Sequence, residues 1–199
     1  MFEDFFDAQF SNVPVMGVFR SQGVTRTVAL CEAAWDLGID VVEVTIGHVD
    51  DIPSLYAAVA AGRDRGRSVG AGTVITPEQV HAAHSAGAMF TVSPGLDAAV
   101  VEESMKVSLP HLPGVSTPSE VQVALRLRLT WLKAFPIAWL GPSWVQHIRG
   151  PFPDTRFVGT GGVSAHVAAD YLAAGVDVVG MGSGFDVPET AATIRALWG

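Results

Sequence analysis

Three times in this chain an Ala-rich stretch ends on a glycine and passes directly into a short apolar run. Ala33-Ala34-Trp35-Asp36-Leu37-Gly38 leads into Ile39-Asp40-Val41-Val42-Glu43-Val44. Ala82-Ala83-His84-Ser85-Ala86-Gly87 leads into Ala88-Met89-Phe90-Thr91-Val92, and Tyr171-Leu172-Ala173-Ala174-Gly175 into Val176-Asp177-Val178-Val179-Gly180. Glycine suits the left-handed residue that ends a helix, and a run apolar at nearly every position suits a strand buried on both faces. Such units restrict the chain to helices alternating with the strands of a parallel sheet. Between them the pattern predicts strands near 13–19, 40–46, 68–73, 89–93, 108–112, 129–135, 156–160 and 177–182. Helices are predicted near 24–36, 51–64, 77–86, 97–106, 117–127, 141–149, 164–174 and 187–197. Eight βα units, repeating at about 23 residues, are what a compact (β/α)8 TIM barrel requires. A doubly wound open sheet is the alternative, because strand count alone does not show closure. Phe2, Phe5, Phe6 and Phe10 predict an extra N-terminal helix that covers the barrel floor. No linker or composition break divides residues 1–199, which read as a single domain.

Composition narrows the partners. Apolar residues make up 49% of the chain and charged residues only 16%, so a sizeable core is available. A net charge of −8 argues against a general nucleic-acid or anionic-membrane surface, although ten arginines remain to build a local anion site. The single cysteine, Cys31, rules out an internal disulfide and a cysteine-based zinc site, and its Ala-rich surroundings predict an inert buried thiol. The acidic start Met1-Phe2-Glu3-Asp4 lacks the basic region of a signal peptide, and no apolar run reaches membrane-spanning length. The expectation is a cytoplasmic protein.

A barrel places its chemistry at the C-terminal ends of the strands. The polar residues there are Arg20, Glu43, Thr45, Thr73, Ser93, Lys133, Thr160 and Ser183. Two of them are anomalies. Lys133, one of only two lysines, interrupts the apolar strand Leu129-Thr130-Trp131-Leu132-Lys133-Ala134-Phe135. Burying an ammonium costs several kcal/mol unless it is paired or discharged. Desolvation shifts a lysine toward its neutral amine, a nucleophile able to form a Schiff base with a carbonyl. The alternative is a lysine that snorkels from a strand end. Glu43 interrupts Val41-Val42-Glu43-Val44-Thr45-Ile46 in the same way. If the two meet across the mouth at about 4 Å, the carboxylate favours the ammonium by roughly 4 kcal/mol at an effective dielectric of 20. Glu43 is therefore expected to act mainly through water, as a proton shuttle, or to be protonated part of the time. The competing reading is a buried ion pair that serves stability alone.

Thr160-Gly161-Gly162 and Gly180-Met181-Gly182-Ser183-Gly184 follow the last two strands. Adjacent glycines bare backbone N–H groups, and the next helix adds its positive end, so this is a natural phosphate site. The histidines suggest no metal site. His81 and His84 fall on the outer side of their helix without an acidic partner in register, and His48-Val49-Asp50-Asp51 reads as a helix cap.

These residues together resemble the 2-keto-3-deoxy-6-phosphogluconate aldolases and their 6-phosphogalactonate and 4-hydroxy-2-oxoglutarate relatives, from about Val13 to Phe185. The landmarks are Val13-Pro14-Val15, Val42-Glu43-Val44-Thr45, Gly70-Ala71-Gly72-Thr73-Val74, Ser93-Pro94-Gly95, Pro113-Gly114-Val115-Ser116-Thr117, Lys133-Ala134-Phe135-Pro136 and Thr160-Gly161-Gly162. The resemblance implies a class I aldolase on a (β/α)8 barrel, a homotrimer that needs no metal or other cofactor. It places Lys133 on the Schiff-base lysine and Glu43 on the general acid/base. It places Arg20, Thr73, Pro94, Phe135, Thr160, Gly161, Gly162, Gly182 and Ser183 on substrate-binding positions. The implied substrates are a 2-keto-3-deoxy-6-phospho sugar acid, pyruvate and a phosphorylated aldehyde.

One position departs from the pattern. Phosphogluconate aldolases usually carry an arginine two residues after the threonine of the Glu-x-Thr segment, where it holds the substrate carboxylate. Here that position is Gly47, followed by His48. The phosphogalactonate branch also lacks it, and Leu140-Gly141-Pro142 is similar to that branch. Arg20 or His48 is left to hold the carboxylate. The rival expectations are a 4-hydroxy-2-oxoglutarate-type aldolase, a phosphosugar isomerase or epimerase using Glu43 without an imine, and a non-catalytic phospho-ligand binder.

Overall fold

A computed structural model describes residues 2–199, the Glu3 side chain excepted, so Met1 of the acidic start lies outside the described residues. The chain opens with helix α1 (Phe2–Gln9) and then alternates strands with helices. The first half holds β1 (Val15–Phe19), α2 (Val24–Asp36), β2 (Val41–Thr45), a 3₁₀ turn (Val49–Asp51) and α3 (Ile52–Arg65). It continues with β3 (Ser68–Gly72), α4 (Pro77–Ala86), β4 (Thr91–Val92) and α5 (Ala98–Lys106). Next come β5 (His111–Leu112), β6 (Gly114–Val115), α6 (Pro118–Arg126) and β7 (Trp131–Ala134). Then follow α7 (Ile137–Leu140), α8 (Ser143–Arg149), β8 (Arg156–Gly159), α9 (Ala165–Ala173), β9 (Val178–Met181) and α10 (Pro188–Arg195). The three glycines read as helix ends, Gly38, Gly87 and Gly175, all have positive φ. Thr76 and Thr117 each precede a proline, and their hydroxyls accept from Gln79 N and Glu120 N to start α4 and α6.

All strands pair in parallel in the order β5-β4-β3-β2-β1-β9-β8-β7-β6. The two ends of that order, β5 and β6, are separated only by Pro113. Ser93 N donates to Leu112 O at 3.0 Å on one side, and Lys133 N donates to Pro113 O at 2.8 Å on the other. The predicted fifth strand is thus one segment that bonds to both neighbours and closes a TIM barrel. It divides in two because proline has no N–H to give. The open-sheet alternative falls. The helix expected at 141–149 is present as α8, and Gly141-Pro142 separates it from the short α7, which the sequence pattern did not suggest.

Strand alternation sorts the core into two layers. Val42, Val44, Val69, Ala71, Leu132, Ala134 and Val179 face outward onto helix residues such as Leu30, Trp35 and Leu55. Met16, Val41, Phe90, Val92, Leu112, Trp131, Val158 and Val178 face inward, and Phe6 and Phe10 join them from below. The expected floor helix is therefore present as α1. The Phe10 and Trp131 rings lie 5.4 Å apart, and Trp131 Nε1 donates to Asp7 Oδ1 at 2.9 Å. Arg156 Nη1 pairs with the same carboxylate at 3.3 Å, so Asp7 ties the helix to two neighbouring strands. Burial pushes the Cys31 thiol up to about 12, with a smaller contribution from Glu32, in keeping with an inert thiol.

A buried polar network occupies the outward side of β4 and β5. Thr91 Oγ1 lies 2.8 Å from His111 Nδ1, and Ser93 Oγ lies 3.3 Å from His111 Nε2. Ser93 donates to Val74 O, so it accepts from Nε2–H, and Nδ1 accepts from Thr91. Ser93 thus turns away from the mouth, because its neighbours Phe90 and Val92 take the inward positions. Burial lowers the His111 pKa from 6.5 to about 3. Between these values the unfolded chain binds the extra proton, so stability falls as pH falls through that window. Urea unfolding of the wild type should lose roughly 2 kcal/mol from this group between pH 7 and pH 5. His111→Gln should lack that increment; equal pH slopes would refute it.

Candidate active site

The inward column of β2 reads Val41, Glu43, Thr45 from floor to rim, and that of β7 reads Trp131, Lys133. Glu43 and Lys133 therefore occupy the layer just above the apolar floor. Glu43 is 0% exposed and Lys133 2% exposed, and Nζ lies 3.7 Å from Oε1. Room for the carboxylate comes from β3, where a Cβ on Gly72 would run into it. The Phe135 ring centroid lies 5.1 Å from Nζ, a cation–π distance.

The energetics do not describe a structural ion pair. Attraction at this separation is roughly 4 kcal/mol at an effective dielectric of 20. Desolvation costs several kcal/mol per ion, and a buried pair offsets that only when further hydrogen bonds satisfy both groups. Here both Glu43 oxygens are without a hydrogen-bond partner. The separation exceeds a hydrogen bond, so each oxygen is open to a third polar group.

At the rim, Arg20 Nη1 donates to Thr73 Oγ1 at 3.2 Å. Arg20 follows β1 and Thr73 follows β3, so this bond crosses the end of β2 between them. Thr73 has φ 58, an unusual conformation for a β-branched residue, and Ser21 beside Arg20 has φ 49. Ser21 Oγ donates to Asp51 Oδ2 at 3.0 Å, which joins the loop after β1 to the loop after β2. The Asp51 carboxylate therefore goes to Ser21 and makes no cap hydrogen bond to α3. Gln79 completes the rim: its amide donates to Ile46 O at 3.1 Å and accepts from Ile75 N at 2.7 Å. A Cβ on Gly47 would lie 3.0 Å from Thr73 Cγ2, so a larger residue there would press on the acceptor of the Arg20 bond.

A cavity of about 230 Å³ opens on this layer. Its wall includes Arg20, Lys133, Phe135, Thr160, Gly161, Gly162 and Gly182 of the residues singled out from the sequence. Glu43 lies behind Lys133, and Thr73 reaches the wall through Arg20. Pro94 and the exposed Ser183 lie outside this wall; the Pro94 carbonyl sits against Gly114 instead. His48 is exposed and outside it too, which leaves Arg20 as the cation on the wall besides Lys133. The wall also includes Gly180 of the second glycine-rich turn, and Gln22, Val18 and Val163, which pattern reading passed over. Gln22 Nε2 donates to Arg20 O at 2.8 Å and so steadies the loop. Gly180 is small because Thr160 Cγ2 would lie 2.6 Å from its Cβ.

His81 and the tryptophans of α7 and α8 separate from the site. His81 Nε2 pairs with Glu103 Oε1 at 3.0 Å, an acidic partner from α5 that the helix register did not reveal. Trp144 donates to Ser116 O at 3.1 Å and stacks edge-on against Phe157 at 5.4 Å. Trp139, in α7, is 90% exposed.

The model of the KDPG and KHG aldolase family matches residues 6–193. The chain is 32% identical over 180 residues to a probable 2-dehydro-3-deoxy-6-phosphogalactonate aldolase of Rhizobium meliloti, covering 90% of this chain and 84% of that protein. It is 35% identical over 164 residues to the KHG/KDPG aldolase of Escherichia coli K12, covering 80% and 75%. The structure superposes with a TM-score of 0.82 on the KDPG aldolase of Legionella pneumophila with pyruvate captured as a covalent carbinolamine intermediate. That superposition covers 96% of this chain and 94% of the other, at 33% identity. Barrel and sequence agree, and the chain belongs to the KDPG and KHG aldolase family.

Proposed function

We propose that this chain is a class I aldolase, a carbon–carbon lyase that reversibly cleaves a 2-keto-3-deoxy-6-phospho sugar acid to pyruvate and glyceraldehyde 3-phosphate. The observation that carries the reading is the buried Lys133 amine, 3.7 Å from an otherwise unpartnered Glu43 carboxylate and opening onto one cavity. The Lys133 amine adds to the C2 ketone and water leaves, giving a protonated imine. Glu43, through a water, removes the C4 hydroxyl proton. The C3–C4 electron pair then forms C2=C3 while the imine nitrogen takes up the C=N pair, so the aldehyde departs and an enamine remains. Glu43 returns a proton to C3, and hydrolysis of the imine releases pyruvate and the free amine.

The other contacts follow from position. Arg20 takes the substrate carboxylate in place of the arginine that Gly47 lacks. Gly161, Gly162, Gly182 and Ser183 hold the phosphate beside the start of α9. Thr73, Pro94, Phe135 and Thr160 shape the pyruvyl and hydroxyl positions. Residues 1–199 act as one domain in a cytoplasmic homotrimer; the exposed Trp139 on the mouth side supports a face covered by a partner copy. Among the described residues no helix is long and apolar enough to cross a membrane.

Borohydride trapping with pyruvate, followed by peptide mapping, tests the reading. An adduct on Lys133 and none on Lys106 is expected; no adduct would bring forward the isomerase and binder readings. Lys133→Ala and Lys133→Arg should lose turnover by about 10⁴-fold or more while remaining folded by circular dichroism. Substantial activity in Lys133→Arg would refute the imine. Gly72→Ala should displace the Glu43 carboxylate and lower kcat about 10²- to 10³-fold, with the pyruvate adduct still forming.

A further inference from the structure

Among the described residues, the buried side-chain atoms without a hydrogen-bond partner fall into two groups. Trp35 Nε1, Arg67 Nε and Arg149 Nε lie away from the mouth, and both arginines use other nitrogens to pair with Asp40 and Asp177. The others are Glu43 Oε1 and Oε2, Thr45 Oγ1 and Thr160 Oγ1, all on inward strand positions. Thr160 lines the cavity and so faces whatever enters it. Thr45 has no such role.

Thr45 is 1% exposed and follows Glu43 in the same inward column. Its register partner on β3 is Gly72, the residue over which the Glu43 carboxylate leans. The Arg20–Thr73 hydrogen bond crosses just above it. Hydroxyl and carboxylate are therefore successive polar groups of one inward column, both buried and both without a hydrogen-bond partner. Leaving a buried hydroxyl unpaired is unfavourable, and valine would fill the same volume without that cost.

We infer that Thr45 is a positioning residue for proton transfer: its hydroxyl and a Glu43 oxygen together hold the water through which the carboxylate exchanges a proton with substrate carbon. The inference rests on the aldolase reading above. In the enamine, the water gives a proton to C3 and takes one from the Glu43 carboxyl. The C2=C3 pair becomes the new C3–H bond, and the nitrogen lone pair restores C2=N. The Thr45 hydroxyl fixes where that water stands and neither gains nor loses a proton overall.

The test uses the intact protein with pyruvate alone in deuterated water. Exchange of the methyl protons is followed by NMR, beside borohydride trapping and thermal unfolding. Thr45→Val should slow exchange about 10²-fold, with adduct yield and half-saturating pyruvate within about twofold of wild type. Its Tm should be equal or higher, and Thr45→Ser should restore exchange to within about fivefold. Exchange at the wild-type rate in Thr45→Val, adduct and exchange lost in equal measure, or no rescue by Thr45→Ser would each overturn the inference. Wild-type protein that forms no adduct would overturn the aldolase reading along with it.

Discussion

Burying an ammonium and a carboxylate side by side inside a barrel is the constraint around which the upper half of this molecule is arranged. Each ion has left water at a cost of several kcal/mol, and their mutual attraction at 3.7 Å offsets only part of it. The pair persists because the surroundings over-determine its place. Gly72 leaves the space that the carboxylate leans into, and Phe135 presents its ring to the ammonium. The residual unfavourable interaction is what makes the site receptive: a ketone that takes up the amine, or a polar group that reaches the carboxylate, relieves it.

The rim is held by contacts between neighbouring loops. Position 47, past the end of β2, is a glycine and brings no side chain to the mouth. Arg20 comes across from β1 and rests on Thr73, whose left-handed backbone holds the hydroxyl toward it. Ser21 and Gln22 each contribute one further hydrogen bond to the same loops, and Gln79 contributes two. The cation at the mouth is therefore anchored at the end of β1, and its loop is tied to two others.

Much of this was legible in the sequence because charge inside an apolar strand has few explanations. Lys133 and Glu43 stood out on that ground, and period-two alternation then placed both in the interior. The glycine-ended helices likewise announced the βα rhythm. What escaped depends on contacts between distant segments. His111 lies between two prolines in an otherwise apolar run, yet only the pairing of β4 with β5 places Thr91 and Ser93 against its ring. The turn of Ser93 away from the mouth follows from which of its neighbours faces inward, a parity that strand ends do not reveal. Gln22 sits in a loop with no periodicity, and Glu103 reaches His81 from another helix. The division of the fifth strand was written in Pro113, but its significance as the seam of the ring required the hydrogen bonds on both sides.

The floor helix has a bearing on the reacting group at the opposite end of the molecule. Trp131 stands directly beneath Lys133 in the same inward column, and it is braced from below by Phe6, Phe10 and Asp7. The amine consequently meets solvent from one direction alone. Its surroundings are set partly by residues more than a hundred positions away, which lie outside the cavity wall and close the underside. A lesion in the first ten residues would reach the Lys133 amine as a change of solvent.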